Sequence, residues 1–309
     1  MKLNPTIINS LACPRCKMTL SEFECANCGL NFPVVKDTPV LINDENSLFS
    51  VSDFIELRDT TYKSAPNWKR TLKKIIPSIN LNFRTKANLQ SFFAEFKTEN
   101  PKVLIIGGAV AGEGFDFDKI PNKITLVETD VAFGERTNLI CDAHDLPFLA
   151  ESFDGVIIQA VLEHILEPNR CVAEIYRILK HDGLVYAETP FMQQVHAGRY
   201  DFMRFTHLGH RYLFRQFAEL KSGAVCGAGM ALAWSYCYFL QSFFTNKLLG
   251  QIAFTFGAIT GFWLKYFDYF LIDKPSAFDS ASGYYFFGQK SSEMLAGQRL
   301  IADYRGTIR

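Results

Sequence analysis

Val103-Leu-Ile-Ile106, followed at once by Gly107-Gly108-Ala-Val-Ala-Gly112-Glu-Gly114, decides how this chain is read. Four consecutive apolar residues suit a strand buried on both faces. The glycines behind them let the backbone turn tightly and pass close under a ligand, where a side chain would intrude. Outward from this point, short apolar runs recur at Ile124 to Val127, Leu139 to Ile140, Gly155 to Ile158 and Leu184 to Ala187. Polar or helical segments separate them. The best helix spans Asn169 to Lys180, starting after Pro168 and stopping before His181-Asp182-Gly183. Such alternation predicts an α/β fold, a mostly parallel sheet with covering helices.

Ligands of open parallel sheets bind at the carboxyl ends of the strands, so the residues there are the candidate site. Glu128 follows the second run, where a carboxylate can accept both hydroxyls of a ribose. Asp142-Ala143-His144 follows the third, where a carboxylate can accept from an adenine amino group. Gln159 and Glu163-His164 follow the fourth. Gly107, Gly108, Gly112, Gly114, Glu128, Asp142, Ala143, Gln159 and His164 are the predicted cofactor residues. A nicotinamide dinucleotide also uses a glycine turn and an acid after the second strand. A clean G-x-G-x-x-G is absent here, and the Asp142 to Phe148 and Ser152 to Asp154 segments have no role in reading a pyrophosphate.

Asp142-Ala-His-Asp-Leu-Pro-Phe148, Ser152-Phe-Asp154, Val161-Leu-Glu-His164 and Leu179-Lys-His-Asp-Gly183 together resemble the type-11 branch of the class I S-adenosylmethionine-dependent methyltransferases, over about Val103 to Ala187. The resemblance implies a Rossmann-like, doubly wound, seven-stranded sheet with a final antiparallel strand. It also implies S-adenosylmethionine as cofactor, with Gly107 to Gly114 beside its methionine part, Glu128 on the ribose and Asp142 near the adenine. Leu220 to Val225 and Tyr284 to Gly288 become the sixth and seventh strands.

Cys13-Pro-Arg-Cys16 and Cys25-Ala-Asn-Cys28 are two C-x-x-C knuckles, able to supply the four thiolates of a closed tetrahedral zinc site. A closed site is structural: it folds a segment too small to hold a core of its own. Leu11 through Ile42 further resembles the Trm112-like zinc ribbon, a module associated with methyltransferases. Cys141, Cys171, Cys226 and Cys237 lack ligand spacing and read as buried hydrophobes.

The expected organisation is a ribbon over 1–48, a helical linker over 49–100, and a catalytic domain over 101–309 with a helical insertion at about 228–282. The 309 residues carry 32 basic and 32 acidic side chains, and 48% are hydrophobic. That composition excludes general disorder, and the charge balance gives no reason to expect a nucleic-acid partner. With no apolar leader in MKLNPTIINS, the expected compartment is the cytoplasm.

The loop after the fifth strand, Glu188 to His210, gathers histidines, arginines, acids and a tyrosine. His196, Tyr200 and Arg204 are the predicted acceptor-site residues. Equally, Arg204 and Asp201 can form an ion pair, and His207 and His210 can flank the following helix. Residues 222–246 and 248–264 contain no charged side chain. They are expected to form helices packed over the catalytic domain as a lid or core, with peripheral membrane contact through residues 228–272 as a further expectation. The basic run Lys69, Arg70, Lys73 and Lys74 beside Trp68 would assist that contact. The expected function is methyl transfer to a small-molecule, sugar or lipid-precursor acceptor. The competing reading is a catalytically silent scaffold of the same fold.

Overall fold

Strands β3 (Val34–Val35), β4 (Thr38–Leu41), β5 (Lys102–Ile106), β6 (Thr125–Asp130), β7 (Leu139–Cys141), β8 (Phe153–Gln159), β9 (Leu179–Pro190), β10 (Phe217–Cys226) and β11 (Gly283–Lys290) form one sheet. Their order is β10-β11-β9-β8-β5-β6-β7-β4-β3. The computed structural model describes residues 3–60, 77–109 and 120–307. The basic run around Trp68, and Gly112 and Gly114, lie outside the described residues.

From β4 to β9 the pairs are parallel, and β11 runs antiparallel between β9 and β10. Val103 lies between Leu126 and Gly155 in register, which puts β5 at the centre. Alternation along β5 divides the core. Val103 and Ile105 pack with Leu89, Phe92 and Phe93 of the helix Thr85–Ala94 and with Phe96 just beyond its end. On the opposite face, Leu104 and Ile106 share a core with Cys171, Val172, Ile175 and Ile178 of the helix Pro168–Ile178. Both faces of the parallel strands are therefore dry, as their continuous apolar runs require. Gly155 makes this packing possible on one side. A Cβ there would stand 2.6 Å from Phe96 Cζ and 2.7 Å from Phe92 Cζ.

Among the described residues the sheet has nine strands where seven were expected: β5 to β11 are seven, and β3 and β4 are added to them. The two extra strands come from the cysteine-bearing segment. Val40 pairs with Ile140 and Leu41 with Cys141 in parallel, and β3 closes that edge. Without them the short, buried β7 would be an open edge. The two-stranded β1 (Glu24–Cys25) and β2 (Leu30–Asn31) stay separate beside the knuckles.

Between β10 and β11 lie the helices Ala228–Gln241 and Lys247–Gly261, the 3₁₀ segment Phe262–Phe267 and the short helix Asp268–Leu271. Asp268 is wholly buried and accepts from the N–H groups of Gly229 (2.6 Å) and Met230 (2.9 Å), neutralising the positive end of the first helix. Trp234 Nε1 donates to Asn80 Oδ1 at 2.9 Å, joining this layer to the residues before Thr85. Among the described residues, no helix is long and apolar enough to cross a membrane.

Candidate functional site

At the carboxyl ends of β5, β6 and β7 lies a cavity of about 350 Å³. Gly107, Ala109, Asp130, Asp142, Ala143, Val161, His164, His196 and Tyr200 line it, and Leu48 and Phe49 of the amino-terminal segment close its side. Gly107 sits at φ +83°, and a Cβ on it would come 2.3 Å from Val161 Cγ2, so only glycine fits this turn. Asp142 accepts from Ser47 Oγ at 2.5 Å and from His144 N–H at 2.9 Å, with His144 Nδ1 2.6 Å away. Burial works against the anion, but these contacts hold its carboxyl below the ordinary range.

Glu128, expected on the ribose, is not among the described lining residues. Its carboxylate is buried beneath Gly108 and receives Arg136 Nε at 3.0 Å on both oxygens. Gly108 likewise does not line the cavity. The acid of β6 that lines the cavity is Asp130. The apolar run suggested that the strand ends at Val127, whereas β6 continues to Asp130. With a side-chain period of two, Glu128 and Asp130 share a face, and only the latter reaches the rim. Counting two residues on along the strand would have found it. Asp130 Oδ2 accepts from Ala109 N–H at 2.9 Å, and burial pushes its carboxyl up to about 6 against that bond.

A second cavity of about 160 Å³ opens beside the first, sharing Ala160 and His196 with it. Asn80, Asn82, Gln159, Glu163, Glu188, Thr189 and Ser282 line it, and Met230 of the helical layer covers part of it. Gln159 therefore belongs here and not with the nucleoside-sized cavity: its Nε2 donates to Glu188 Oε2 at 3.1 Å. Thr85 and Tyr186 also donate to Glu188, and burial raises its carboxyl. The hydroxyls of Thr189 and Ser282 and both carboxylate oxygens of Glu163 are buried without a hydrogen-bond partner among the described residues. Burial pushes Glu163 up to about 8. Among the described lining residues there is no lysine or arginine.

Of the three residues expected at an acceptor site, His196 lines both cavities and Tyr200 the larger one. Arg204 lines neither. Its guanidinium pairs with Asp201, 2.7 Å to Oδ2, and donates to the carbonyls of Gln193 (2.9 Å) and Gln194 (3.1 Å). The arginine is a positioning residue: it clamps the loop that carries His196. Burial opposes the Asp201 anion, yet Arg204 and the His196 N–H hold its carboxyl down to about 2. His207 and His210 are buried in the helix His207–Leu213 and pushed down to about 4 and about 3 by burial, so they belong to the core.

The four cysteines Cys13, Cys16, Cys25 and Cys28 bring their sulfurs within 4.8 Å of one another, an arrangement that can hold a metal ion. Cys16 Sγ and Cys25 Sγ are 3.5 Å apart, close to the roughly 3.8 Å edge of a tetrahedron built on Zn–S bonds of about 2.3 Å.

Residues 117–187 match the family model described as a methyltransferase domain, a span that runs through β6, β7 and β8 into β9 and contains Asp130, Asp142, Glu163 and His164. No curated protein matches the chain. Among solved structures, the cyclase SpnF is 16% identical, with 70% of this chain and 85% of that one covered at a TM-score of 0.39. Haemonchus contortus phosphoethanolamine N-methyltransferase 2, in complex with S-adenosyl-L-methionine, is 16% identical, with 68% and 53% covered at 0.42. A SAM-dependent methyltransferase of Methanosarcina mazei is 14% identical, with 69% and 100% covered at 0.39. The family match therefore supports a methyltransferase domain on this sheet, and the geometry places two cavities at its rim.

Proposed function

We propose that the protein is an S-adenosylmethionine-dependent methyltransferase whose larger cavity holds the nucleoside and whose second cavity receives the acceptor. The observation that carries this reading is that two acids, Asp130 and Asp142, face one cavity from neighbouring strand ends, and that this cavity meets a second, polar one at His196. The residues present fit the cofactor. The side-chain-free turn at Gly107 leaves room for close approach, Asp130 can accept from ribose hydroxyls, and Asp142 can accept at the adenine edge. Apolar Leu48, Phe49, Val161 and Ile165 can enclose the base. When bound, S-adenosylmethionine supplies an electrophilic methyl on a sulfonium. The chain's task is to align the acceptor and exclude water.

Thr189, Ser282 and Glu163 offer unpartnered polar atoms to an acceptor hydroxyl or amine. A small acceptor, or the head of a sugar or lipid precursor, suits a cavity of about 160 Å³ lined by acids. A phosphate backbone does not, since no cation lines the described wall. The cysteine quartet holds a structural zinc in a Trm112-like ribbon. The helical layer 228–272 exposes Phe243 (68%), Leu248 (66%) and Phe270 (74%), a surface that suits insertion into a membrane interface. Co-sedimentation with anionic vesicles tests that contact, and an unbound protein would remove it. Calorimetry with S-adenosylmethionine tests the main reading. Saturable binding to the full chain is expected, and no heat at millimolar ligand would overturn it.

A further inference from the structure

Glu163, His164 and His196 converge where the two cavities meet. Their donor atoms lie within 4.8 Å of one another. Glu163 Oε1 is 3.7 Å from His164 Nε2 and 3.6 Å from His196 Nε2. These separations are too long for hydrogen bonds. They are close to the roughly 3.4 Å between ligand atoms of a tetrahedral ion with bonds of about 2.1 Å. The carboxylate is wholly buried and neither oxygen has a hydrogen-bond partner among the described residues, an expensive arrangement for a polar group.

Both imidazoles are turned for ligation. His164 Nδ1 lies 2.8 Å from the Tyr200 carbonyl, which sets the proton on Nδ1 and leaves the Nε2 lone pair facing Glu163. His196 Nδ1 hydrogen-bonds the Gln194 carbonyl at 3.4 Å, and Asp201, clamped by Arg204, accepts from the His196 backbone N–H at 2.9 Å with Oδ2 also 3.4 Å from Nδ1. A carboxylate or carbonyl behind each ligating histidine is the usual outer support of a metal site.

We propose that Glu163, His164 and His196 bind a divalent first-row metal ion, with zinc the best match to two imidazoles and one carboxylate. Three protein ligands leave a coordination position open, unlike the closed cysteine quartet, and Glu163 and His196 place it against the second cavity. The ion's purpose, holding the acceptor's oxygen or nitrogen, rests on the methyltransferase reading; its presence does not. His196 then serves as a ligand and not as a base.

The test is zinc content of the full chain after equilibration with zinc alone and dialysis. Two equivalents are expected, falling to one in His196→Ala, on the partly exposed loop, and in the near-isosteric Glu163→Gln. Cys25→Ser should lose the other equivalent. A thermal melt unchanged in His196→Ala shows that the loss is not unfolding. One equivalent in the natural chain, or two retained in His196→Ala, overturns the proposal. Calorimetry with S-adenosylmethionine on the same samples separates the two claims. Cofactor binding with one zinc sinks only the metal site, and two zincs without cofactor binding sink only the methyltransferase reading.

Discussion

Two clusters of ligand-type side chains in this molecule arise in opposite ways. The cysteine quartet comes from two knuckles within residues 13–28, each shaped by its own tight turn, so spacing alone announces it. The Glu163, His164 and His196 cluster needs the end of β8 and the loop after β9 to meet. Nothing in its spacing announces it, and the Asp201–Arg204 clamp that aims His196 is visible only once the loop is folded. Local geometry can be written into a short motif, whereas a site assembled by strand order cannot.

The largest expected effect sharpens the local side of that contrast. Replacing Cys25 with Ser should remove most of the roughly 10–16 kcal/mol that a structural zinc contributes to folding its segment. Thermal melting should then show loss of cooperative unfolding for β3 and β4, with the wall formed by Leu48 and Phe49 disturbed. An unchanged melting temperature would mean that the sheet edge holds without the metal.

Next is the assembled side. Asp130→Asn should weaken S-adenosylmethionine binding by about 1–3 kcal/mol in calorimetry, because a hydrogen bond to a charged group is lost. Glu128→Gln should leave that affinity within about twofold, since its carboxylate is engaged by Arg136. Equal losses in both variants would return the ribose to Glu128.

A pH series reads the same carboxylate. Burial holds Asp130 at about 6, so its proton competes with an accepted ribose hydroxyl as pH falls through that value. Affinity should drop by up to about tenfold per unit below it and level off above. In Asp130→Asn the slope should vanish; a slope that persists would assign it to another group.

The smallest expected effect concerns the seam between the two regions. Ser47→Ala removes one hydrogen bond to Asp142 and should cost about 0.5–1.5 kcal/mol in cofactor affinity. No change would show that the amino-terminal segment closes the cavity without tuning its acid.

The strand sequence of the α/β domain was legible because parallel strands buried on both faces read as unbroken apolar runs, as Val103 to Ile106 and Val156 to Ile158 do. That Gly107 and Asp142 stand at strand ends, and that the four cysteines cluster, was legible from equally local patterns. The acid at the second strand was misplaced because Val127 ends the apolar run but not the strand, and a polar residue at a strand end looks the same whether it caps the strand or continues it. The sequence leaves Arg204 between two readings, because a clamp and a substrate contact use the same residue types, and the folded loop pairs it with Asp201.

By itself, the amino-acid sequence determined the fold class, the glycine turn and the grouping of the four cysteines, since each depends on residues within one turn or one strand of each other. The tertiary structure alone decided that β3 and β4 extend the sheet, that Asp130 and not Glu128 reaches the cavity, and that Glu163 faces two histidines. Those outcomes depend on register and on how far each strand runs before the chain leaves the sheet, quantities set by packing between segments far apart in the chain.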